Sequence, residues 1–532
     1  MPDRAGEPGS RGAPRLMFYN DGRHPLIYQF EPPIRTDELE IAVDELAGTP
    51  VDALMFCLGD GRTVLHDTEV GELWGHNVAS WPHMVFHRTH RNARGLIDAG
   101  HDPLRVVCDR AHAKGVRFYP TLLVQNGRGG GGDDVRCSDF RFTNTHLEIG
   151  ADGALPPDHP AARCLDFAHA EVRDERFALI QETLGRYPVD GFELQLAYRH
   201  WYFHPDAVDA GRRVMTEWIE RVHAAVKAGG AGRELVVRVP ASIEGCRASG
   251  LDVAEWLRLG LVDVVVAEAF GDPEILDSTV DLRSLVAAAR GKEGRVHAAL
   301  LRLVDSDRVA SAPIEMVRAA AANYWDQGVD GLYLAYWHAA WPFGADFYQM
   351  LRELPHPDVM AAKDKVYFVP TATGRFPDPQ TEPGVKRQLP APLPAGRPAR
   401  AAFLVSDDLP RQDAAGRLHQ VLLRVRVTGV SERDRLTIRL NGAVLPASGG
   451  RLINLTANIS WTRHRVAGYW YLFPLTAGHW PRRGRNTLEV TLDEADPELA
   501  TPRALHDVEL KIDYLIGKRF TRDRDPDLGP FT

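Results

Sequence analysis

The sequence predicts an α/β protein, a (β/α)8 TIM barrel followed by a C-terminal all-β sandwich that is jelly-roll-like. Apolar runs alternate with amphipathic helical patterns over about 340 residues, as units of parallel strands and helices require. The tripeptide Val189-Asp190-Gly191 is repeated at Val329-Asp330-Gly331. Each copy follows a helical pattern and begins an apolar run. After residue 400 the pattern changes to short alternating runs with turn signals such as Asn441-Gly442, which is typical of antiparallel sheets.

Eight strands are predicted in the first part of the chain, each a short apolar run bounded by turn residues. They cover residues 16–20, 53–58, 116–123, 191–197, 235–239, 262–267, 296–303 and 331–337. Helical periodicity predicts helices at 36–47, 104–114, 171–187, 208–227, 253–259, 282–290, 313–327 and 346–354. Eight such pairs favour a closed barrel, and a doubly wound open sheet is the structural alternative.

Composition divides the chain into four segments. Residues 1–14 are rich in Gly, Pro, Arg and Ser, and are predicted to be a disordered leader rather than a secretory signal. The barrel is assigned to residues 15–369 and a proline-rich connector to 370–400. The sandwich follows at 401–520, with strands predicted at 421–427, 435–441, 486–491 and 509–515.

Charge and cysteine content limit the partners and the compartment. A net charge of −9 argues against a nucleic-acid partner and against an anionic membrane surface. No apolar run approaches the roughly 20 residues that a membrane helix needs. The 5 cysteines are scattered and form no CxxC pair, which favours a reduced, cytoplasmic setting. A homo-oligomer is considered possible.

Three acidic residues stand where a barrel does its chemistry, which is at the carboxyl ends of the strands. Glu193 is predicted to point inward because its neighbours on the strand are bulky and apolar. Glu268 ends the sixth predicted strand, and Asp305 follows the seventh. Two carboxyl groups, one protonated and one ionised, are what cleavage of a glycosidic bond requires. The alternatives are an ion pair of Glu193 with Arg238, and a helix-capping role for Asp305.

Polar and aromatic residues near the same strand ends predict a sugar-binding basin. Flat rings with polar edges suit the apolar faces of sugars, and arginines suit a carboxylate or a sulfate. Asp21 could instead form a local turn. The candidate substrate-binding residues are Tyr19, Asp21, Arg199, Trp201, Arg302, Trp337 and His338.

No metal and no cofactor are predicted. The chain has no HExxH pattern and no His-x-His at the end of the first strand, so the usual spacings for a catalytic divalent ion are missing. No Gly-x-Ser-x-Gly elbow indicates a serine nucleophile. A metal site in the loop after the second strand is the alternative, because that loop holds His66, His76, His83, His87 and His90.

The strand starts resemble those of glycosyl-hydrolase-like proteins described as family 10-like. The matching stretches are Val189-Asp190-Gly191-Phe192-Glu193, Gly260-Leu261-Val262-Asp263-Val264-Val265 and Gly328-Val329-Asp330-Gly331-Leu332. The resemblance covers roughly residues 15–355 and implies a sugar-active barrel. This chain departs from the pattern at Gln195, where relatives tend to have Asp.

These observations together predict a glycoside hydrolase that acts on an oligosaccharide or polysaccharide. Glu193 is the predicted general acid/base, Glu268 its nucleophile or base, and Asp305 the substitute for either. Because Gln195 stands where relatives tend to have Asp, a carbohydrate-binding barrel that has lost its acid pair is the second hypothesis. A third possibility is a lyase or epimerase on an acidic sugar, with Tyr or His as base and an arginine holding the carboxylate.

Overall fold

The structure is a computed structural model of the chain. It describes residues 13–530 except 82, 128–133, 270–274, 307–308, 310, 372–386, 447–449, 455–467, 516–523 and 526–528. Its first part is a closed barrel of eight parallel strands, in which β1 pairs with both β2 and β8. This confirms the predicted barrel and excludes the open sheet. The strands are β1 (Leu16–Asn20), β2 (Ala53–Asp60), β3 (Arg117–Leu123), β4 (Gly191–Gln195), β5 (Glu234–Pro240), β6 (Val264–Glu268), β7 (Arg295–Leu300) and β8 (Gly331–Leu334).

Helices surround the barrel and bury their apolar faces against the outer side of the strands. The α-helices are α1 (Thr36–Leu39), α2 (Ile41–Asp44), α3 (Met84–Asp98), α4 (Pro103–Ala113), α5 (Asp139–Thr143), α6 (Ala170–Arg186), α7 (Val208–Ala228), α8 (Ile243–Ala248), α9 (Val253–Leu259), α10 (Arg283–Ala289), α11 (Ile314–Asp326), α12 (Ala345–Glu353), α13 (Pro357–Met360) and α14 (Leu409–Ala414). Single helical turns lie at Pro25–Gln29, Thr145–Leu147, Ala151–Gly153, Pro205–Ala207, Trp337–Ala340 and Ala477–His479. Within the described residues no helix is long and apolar enough to cross a membrane.

An aspartate stands directly before each even-numbered barrel strand and ties it to the strand before it. Each carboxylate accepts a main-chain N–H from near the start of that neighbouring strand, which satisfies a backbone donor that the sheet leaves unpaired. The repeated Val-Asp starts in the sequence therefore hold the end of the barrel opposite its mouth. The pairs are Asp52 with Leu16 (3.1 Å), Asp190 with Phe118 (2.8 Å), Asp263 with Leu235 (2.7 Å) and Asp330 with Val296 (2.8 Å).

Two antiparallel sheets follow the barrel and pack their apolar faces together, as the alternating pattern predicts. One sheet has the order β9-β16-β11-β14-β13 and the other the order β10-β15-β12. The strands are β9 (Lys365–Phe368), β10 (Ala399–Val405), β11 (Leu418–Thr428), β12 (Arg435–Leu440), β13 (Arg451–Asn454), β14 (Gly468–Pro474), β15 (Gly484–Glu494) and β16 (Ala504–Tyr514). Two-residue strands lie at Thr63–Val64, Glu72–Leu73, Ala391–Pro392, Ala443–Val444, Arg524–Asp525 and Gly529–Pro530.

The structure refines several predicted elements. The first predicted helix, 36–47, is two short helices, and α3 lies in the long loop after β2, where no helix was predicted. β9 falls inside the segment assigned to the barrel, yet it pairs with β16 of the sandwich. Residues 1–12 of the predicted leader and 372–386 of the predicted connector lie outside the described residues. The segment boundaries therefore stay predictions.

Candidate functional site

Glu193 points into the barrel, as the alternation of β4 predicts. Its neighbours Phe192 and Leu194 lie in the apolar layer between the strands and the helices. The inner side of the strands carries a separate apolar cluster that includes Val236 and Tyr333. Alternation therefore forces the carboxylate into an interior that is largely apolar, where a charge is costly unless it is paired.

The partner of Glu193 is Arg238 on the neighbouring strand, and the same guanidinium also pairs with Glu268. Arg238 Nε lies 3.2 Å from Glu193 Oε1, and Arg238 Nη1 lies 3.2 Å from Glu268 Oε2. All three side chains are 0% exposed. We call Glu193, Arg238 and Glu268 the inner triad. The ion pair that the sequence offered as the alternative for Glu193 is thus present.

Hydroxyl groups and rings complete the surroundings of the inner triad. Tyr333 donates to Glu193 Oε2 at 3.0 Å, and Thr121 donates to the same oxygen. The rings of Tyr19, Tyr333 and Tyr336 lie 4.3, 4.9 and 5.6 Å from the Arg238 guanidinium carbon. Such contacts favour a cation that has lost its water. The barrel interior is thereby built around one arginine.

Burial and the other two members of the inner triad act on the pKa of Glu268. Burial raises the pKa of Glu268, Arg238 opposes that change, and the nearby Glu193 adds to it. Glu268 Oε1 and Arg238 Nη2 have no hydrogen-bond partner among the described residues. The catalytic role predicted for Glu193 and Glu268 stays a prediction, and their complete burial counts against it, because a reacting carboxyl group must touch its substrate.

A second arrangement of the same kind lies at the mouth of the barrel. Asp21 and Arg23 follow β1, and Asp60 is the last residue of β2. Arg23 Nε lies 3.6 Å from Asp21 Oδ2, and Arg23 Nη1 lies 3.2 Å from Asp60 Oδ2. Unlike the inner triad, these side chains keep exposed surface, 16% for Asp21, 26% for Arg23 and 7% for Asp60. We call Asp21, Arg23 and Asp60 the mouth triad.

Glycine shapes the turn that places the mouth triad. Gly22 has a φ of +69°, and a Cβ at this position would lie 2.4 Å from the carbonyl oxygen of Cys57 on β2. Only glycine fits such a left-handed turn at that distance from a neighbouring strand. Asp21 also accepts the N–H of His24 at 2.7 Å, so the local turn that the sequence offered as the alternative is present. The turn leaves the other carboxylate oxygen directed at Arg23 and His338.

His338 completes the surroundings of Asp21. Its Nε2 lies 3.5 Å from Asp21 Oδ2, and its Nδ1 lies 3.3 Å from the carbonyl oxygen of Tyr19. Burial alone would raise the pKa of Asp21, but His338 and Arg23 outweigh it and hold this pKa well below its usual range. Asp21 is therefore an ionised carboxylate at neutral pH, whereas burial lowers the pKa of the adjacent His24 to about 4.

Some of the other predicted residues lie near the mouth. The Tyr19 ring lies 5.7 Å from that of His338, so it links the two triads, although it is itself buried. Arg302 donates to Ser311 at 2.9 Å, and its charge helps to lower the pKa of His24. Arg199 and Trp201 are half-buried on the loop after β4.

Two predicted residues do not join the site. Trp337 is buried in the outer core, and its ring N–H donates to the carbonyl oxygen of Leu300. Asp305 is buried beside the sandwich, where Arg387 pairs with it at 2.8 Å. The loop after β7 turns toward the sandwich strands instead of toward the mouth, so position after a strand is not enough to place Asp305.

Sequence reasoning missed Asp60 and the bridging role of Arg23. The predicted second strand ends at residue 58, but β2 continues through Gly59 to Asp60. Trp74 donates its ring N–H to Asp60 Oδ2 at 3.3 Å. The polar run from Asn20 to His24 was the one available signal for Arg23.

One group of described residues has the composition of a metal site. Glu72, His76 and Asp139 offer ligand atoms that lie within 4.8 Å of one another. They belong to the loops after β2 and β3, at the same end of the barrel as the mouth triad.

No family model matches the chain, and no curated protein matches it in sequence. Solved structures do align with it. They include a cycloisomaltooligosaccharide glucanotransferase of Paenibacillus sp. (11% identity, 93% of this chain and 57% of that one, TM-score 0.33). Another is the PgaB (BpsB) glycoside hydrolase domain of Bordetella bronchiseptica (13% identity, 64% of this chain and 99% of that one, TM-score 0.39). A third is the GH36 α-galactosidase AgaA of Geobacillus stearothermophilus (12% identity, 95% of this chain and 56% of that one, TM-score 0.37).

The chain spans little more than half the length of the glucanotransferase and of the α-galactosidase. Similarity at these scores says nothing about the substrate or the mechanism of this chain. The family 10-like assignment expected from the sequence is not established by these structures and stays a prediction.

Proposed function

We propose that the protein is a glycoside hydrolase acting on an oligosaccharide or polysaccharide, and that its reacting carboxyl groups belong to the mouth triad. One observation carries the proposal. Asp21 and Asp60 meet at one arginine with exposed surface at the carboxyl ends of β1 and β2, whereas Glu193 and Glu268 have none. Chemistry on a polymer requires carboxyl groups that the polymer can reach.

The two carboxyl groups are assigned different roles. Asp21, held ionised by His338 and Arg23, is the nucleophile or the base that activates water. Asp60 lies across Arg23 from Asp21, and we assign it as the acid. His338 and Arg302 would contact sugar hydroxyls or an acidic substituent, and Arg199 and Trp201 would form a more distant subsite.

The test is a set of isosteric variants assayed on a panel of aryl glycosides and natural oligosaccharides. Asp21→Asn and Asp60→Asn are expected to lose turnover by about 10²–10⁴-fold while substrate binding persists. Asp98→Asn, which alters an exposed ion pair of α3, is the matched control and should keep full activity. Full activity in both mouth variants would refute the assignment. A loss confined to Glu193→Gln and Glu268→Gln, with folding intact, would return the role to the inner pair.

A second candidate function is a carbohydrate-binding barrel without turnover. The observation that favours it is the inner triad itself, in which Arg238 occupies both glutamates that the sequence assigned to catalysis. In that case the parent protein binds oligosaccharides but releases no product. Asp21→Asn then weakens oligosaccharide binding, and neither the parent nor the variant shows turnover.

A further inference from the structure

The loops after β2 and β3 bring one histidine and two carboxylates together. His76 Nε2 lies 3.2 Å from Glu72 Oε2 and 3.0 Å from Asp139 Oδ1. The three ligand atoms lie within 4.8 Å of one another. Glu72 belongs to the short strand Glu72–Leu73, and Asp139 is the first residue of α5. The cluster thus joins two segments that are more than sixty residues apart in sequence.

These spacings fit the ligand shell of a small divalent ion. Zinc binds imidazole nitrogen and carboxylate oxygen at about 2.0–2.2 Å, which places neighbouring ligand atoms of a tetrahedron roughly 3.3–3.6 Å apart. The separations from His76 Nε2, 3.2 and 3.0 Å, lie just below that range. Imidazole with carboxylate ligands is a set that zinc and similar transition ions accept.

Hydrogen bonds within the cluster and beside it hold its two loops together. The main-chain N–H of Asp139 donates to Glu72 Oε2 at 2.8 Å, and Asn77 donates to the carbonyl oxygen of Cys137 at 3.2 Å. The N–H of Gly75 donates to the carbonyl oxygen of Val135. These bonds fix both loops around His76, as a preformed ligand set requires.

We propose that Glu72, His76 and Asp139 form a binding site for a zinc-like divalent cation that joins the loops after β2 and β3. Three protein ligands leave one coordination position open to water. The competing interpretation is a cluster without an ion, held by hydrogen bonds between His76 Nε2 and the two carboxylates. This inference departs from the sequence prediction of no metal, and it does not depend on the proposed glycosidase activity.

The test uses the full chain, stripped with a chelator and titrated calorimetrically with Zn²⁺ at neutral pH. We expect one tight site per chain and a rise in Tm on loading, because an ion that binds only the folded state stabilises it. His76→Gln and Asp139→Asn should each raise the Kd more than about 100-fold, since loss of an outer hydrogen-bond partner alone costs roughly 10–100-fold. Circular dichroism of each variant in chelator checks that its fold is unchanged.

His87→Gln is the matched control, because His87 is an exposed histidine on α3 in the same loop. It should keep the tight site and the rise in Tm. Absence of tight Zn²⁺ binding in the parent protein would overturn the proposal. Equal binding by the His76→Gln and parent proteins, or loss of the site in His87→Gln, would overturn it as well.

Discussion

The inner triad and the mouth triad have the same composition, two carboxylates on either side of one arginine, and they differ in contact with water. Residues of the inner triad have no exposed surface, whereas Arg23 in the mouth triad is 26% exposed. Removing charges from water costs several kcal/mol per ion, which pairing repays only with good geometry. The same three groups are therefore a buried structural unit inside the barrel, whereas at its mouth they keep the exposed surface that our proposed reaction requires.

The two triads also differ in the side chains that lie beside their carboxylates. Glu193 and Glu268 share one guanidinium, and the pKa of Glu268 is raised by burial. Asp21 has both Arg23 and His338 beside it, and its pKa lies below the usual range. The neighbouring groups, and not burial alone, thus set the direction in which the pKa of Glu268 or Asp21 moves.

The largest expected effect is the loss of the arginine of the inner triad. Arg238→Gln leaves two buried carboxylates without their cation, so we expect it to lower the free energy of unfolding by about 3–5 kcal/mol. The matched change Arg23→Gln should cost at most about 1 kcal/mol, because that ion pair is partly exposed. Urea unfolding of both variants measures the difference. Equal losses would contradict the contrast between the two triads.

The next largest effect is a loss of activity, and we expect it at the mouth triad rather than at the inner triad. Asp21→Asn removes the charge of the carboxylate that we assign to nucleophile or base, so kcat should fall by about 10²–10⁴-fold. Its unfolding midpoint in urea should move far less than that of Arg238→Gln. An Asp21→Asn protein that unfolds in milder urea than Arg238→Gln would show that the mouth triad is structural too.

Much of the fold could be predicted from the sequence because it rests on local patterns. The repeated Val-Asp starts mark even-numbered strands, and their aspartates bind the neighbouring strand. The inward direction of Glu193 follows from alternation within one strand. Arg238 was identified as its possible partner because adjacent parallel strands align such positions, and Gln195 lies beside Arg238 in register.

The burial of the predicted site residues could not be predicted, because it depends on contacts between distant parts of the chain. The rings around Arg238 come from β1, β8 and the turn after β8, and sequence gives no distance between them. Asp60 was missed because the strand runs two residues beyond its apolar stretch. Asp305 was misplaced because the loop after β7 meets the sandwich through Arg387.

A smaller effect separates the two glutamates of the inner triad. Glu193 accepts from Tyr333 and Thr121 besides its pairing with Arg238. Glu193→Gln should therefore cost about 1–3 kcal/mol of unfolding free energy, since the amide keeps only one acceptor oxygen and either Arg238 Nε or the two hydroxyls lose theirs. Glu268→Gln should cost less than about 1 kcal/mol, because burial already favours the neutral side chain. Thermal and urea unfolding of both variants check the order, and a costlier Glu268→Gln would contradict it.

The smallest effect is a difference in pH dependence. The folded pKa of Glu268 is above its ordinary value of 4.5, so its contribution to stability is full below pH 4.5 and is lost as pH rises through the folded pKa.

Asp21 behaves in the opposite way. Its contribution is present above its ordinary pKa of 3.8 and is lost as pH falls below that value toward the folded pKa. Urea unfolding between about pH 3 and 7 should therefore show Glu268→Gln gaining stability relative to the parent above pH 4.5. Asp21→Asn should flatten the loss of stability at the acid end. Parallel curves for the parent and both variants would mean that neither carboxyl group has a different pKa in the folded and unfolded chain.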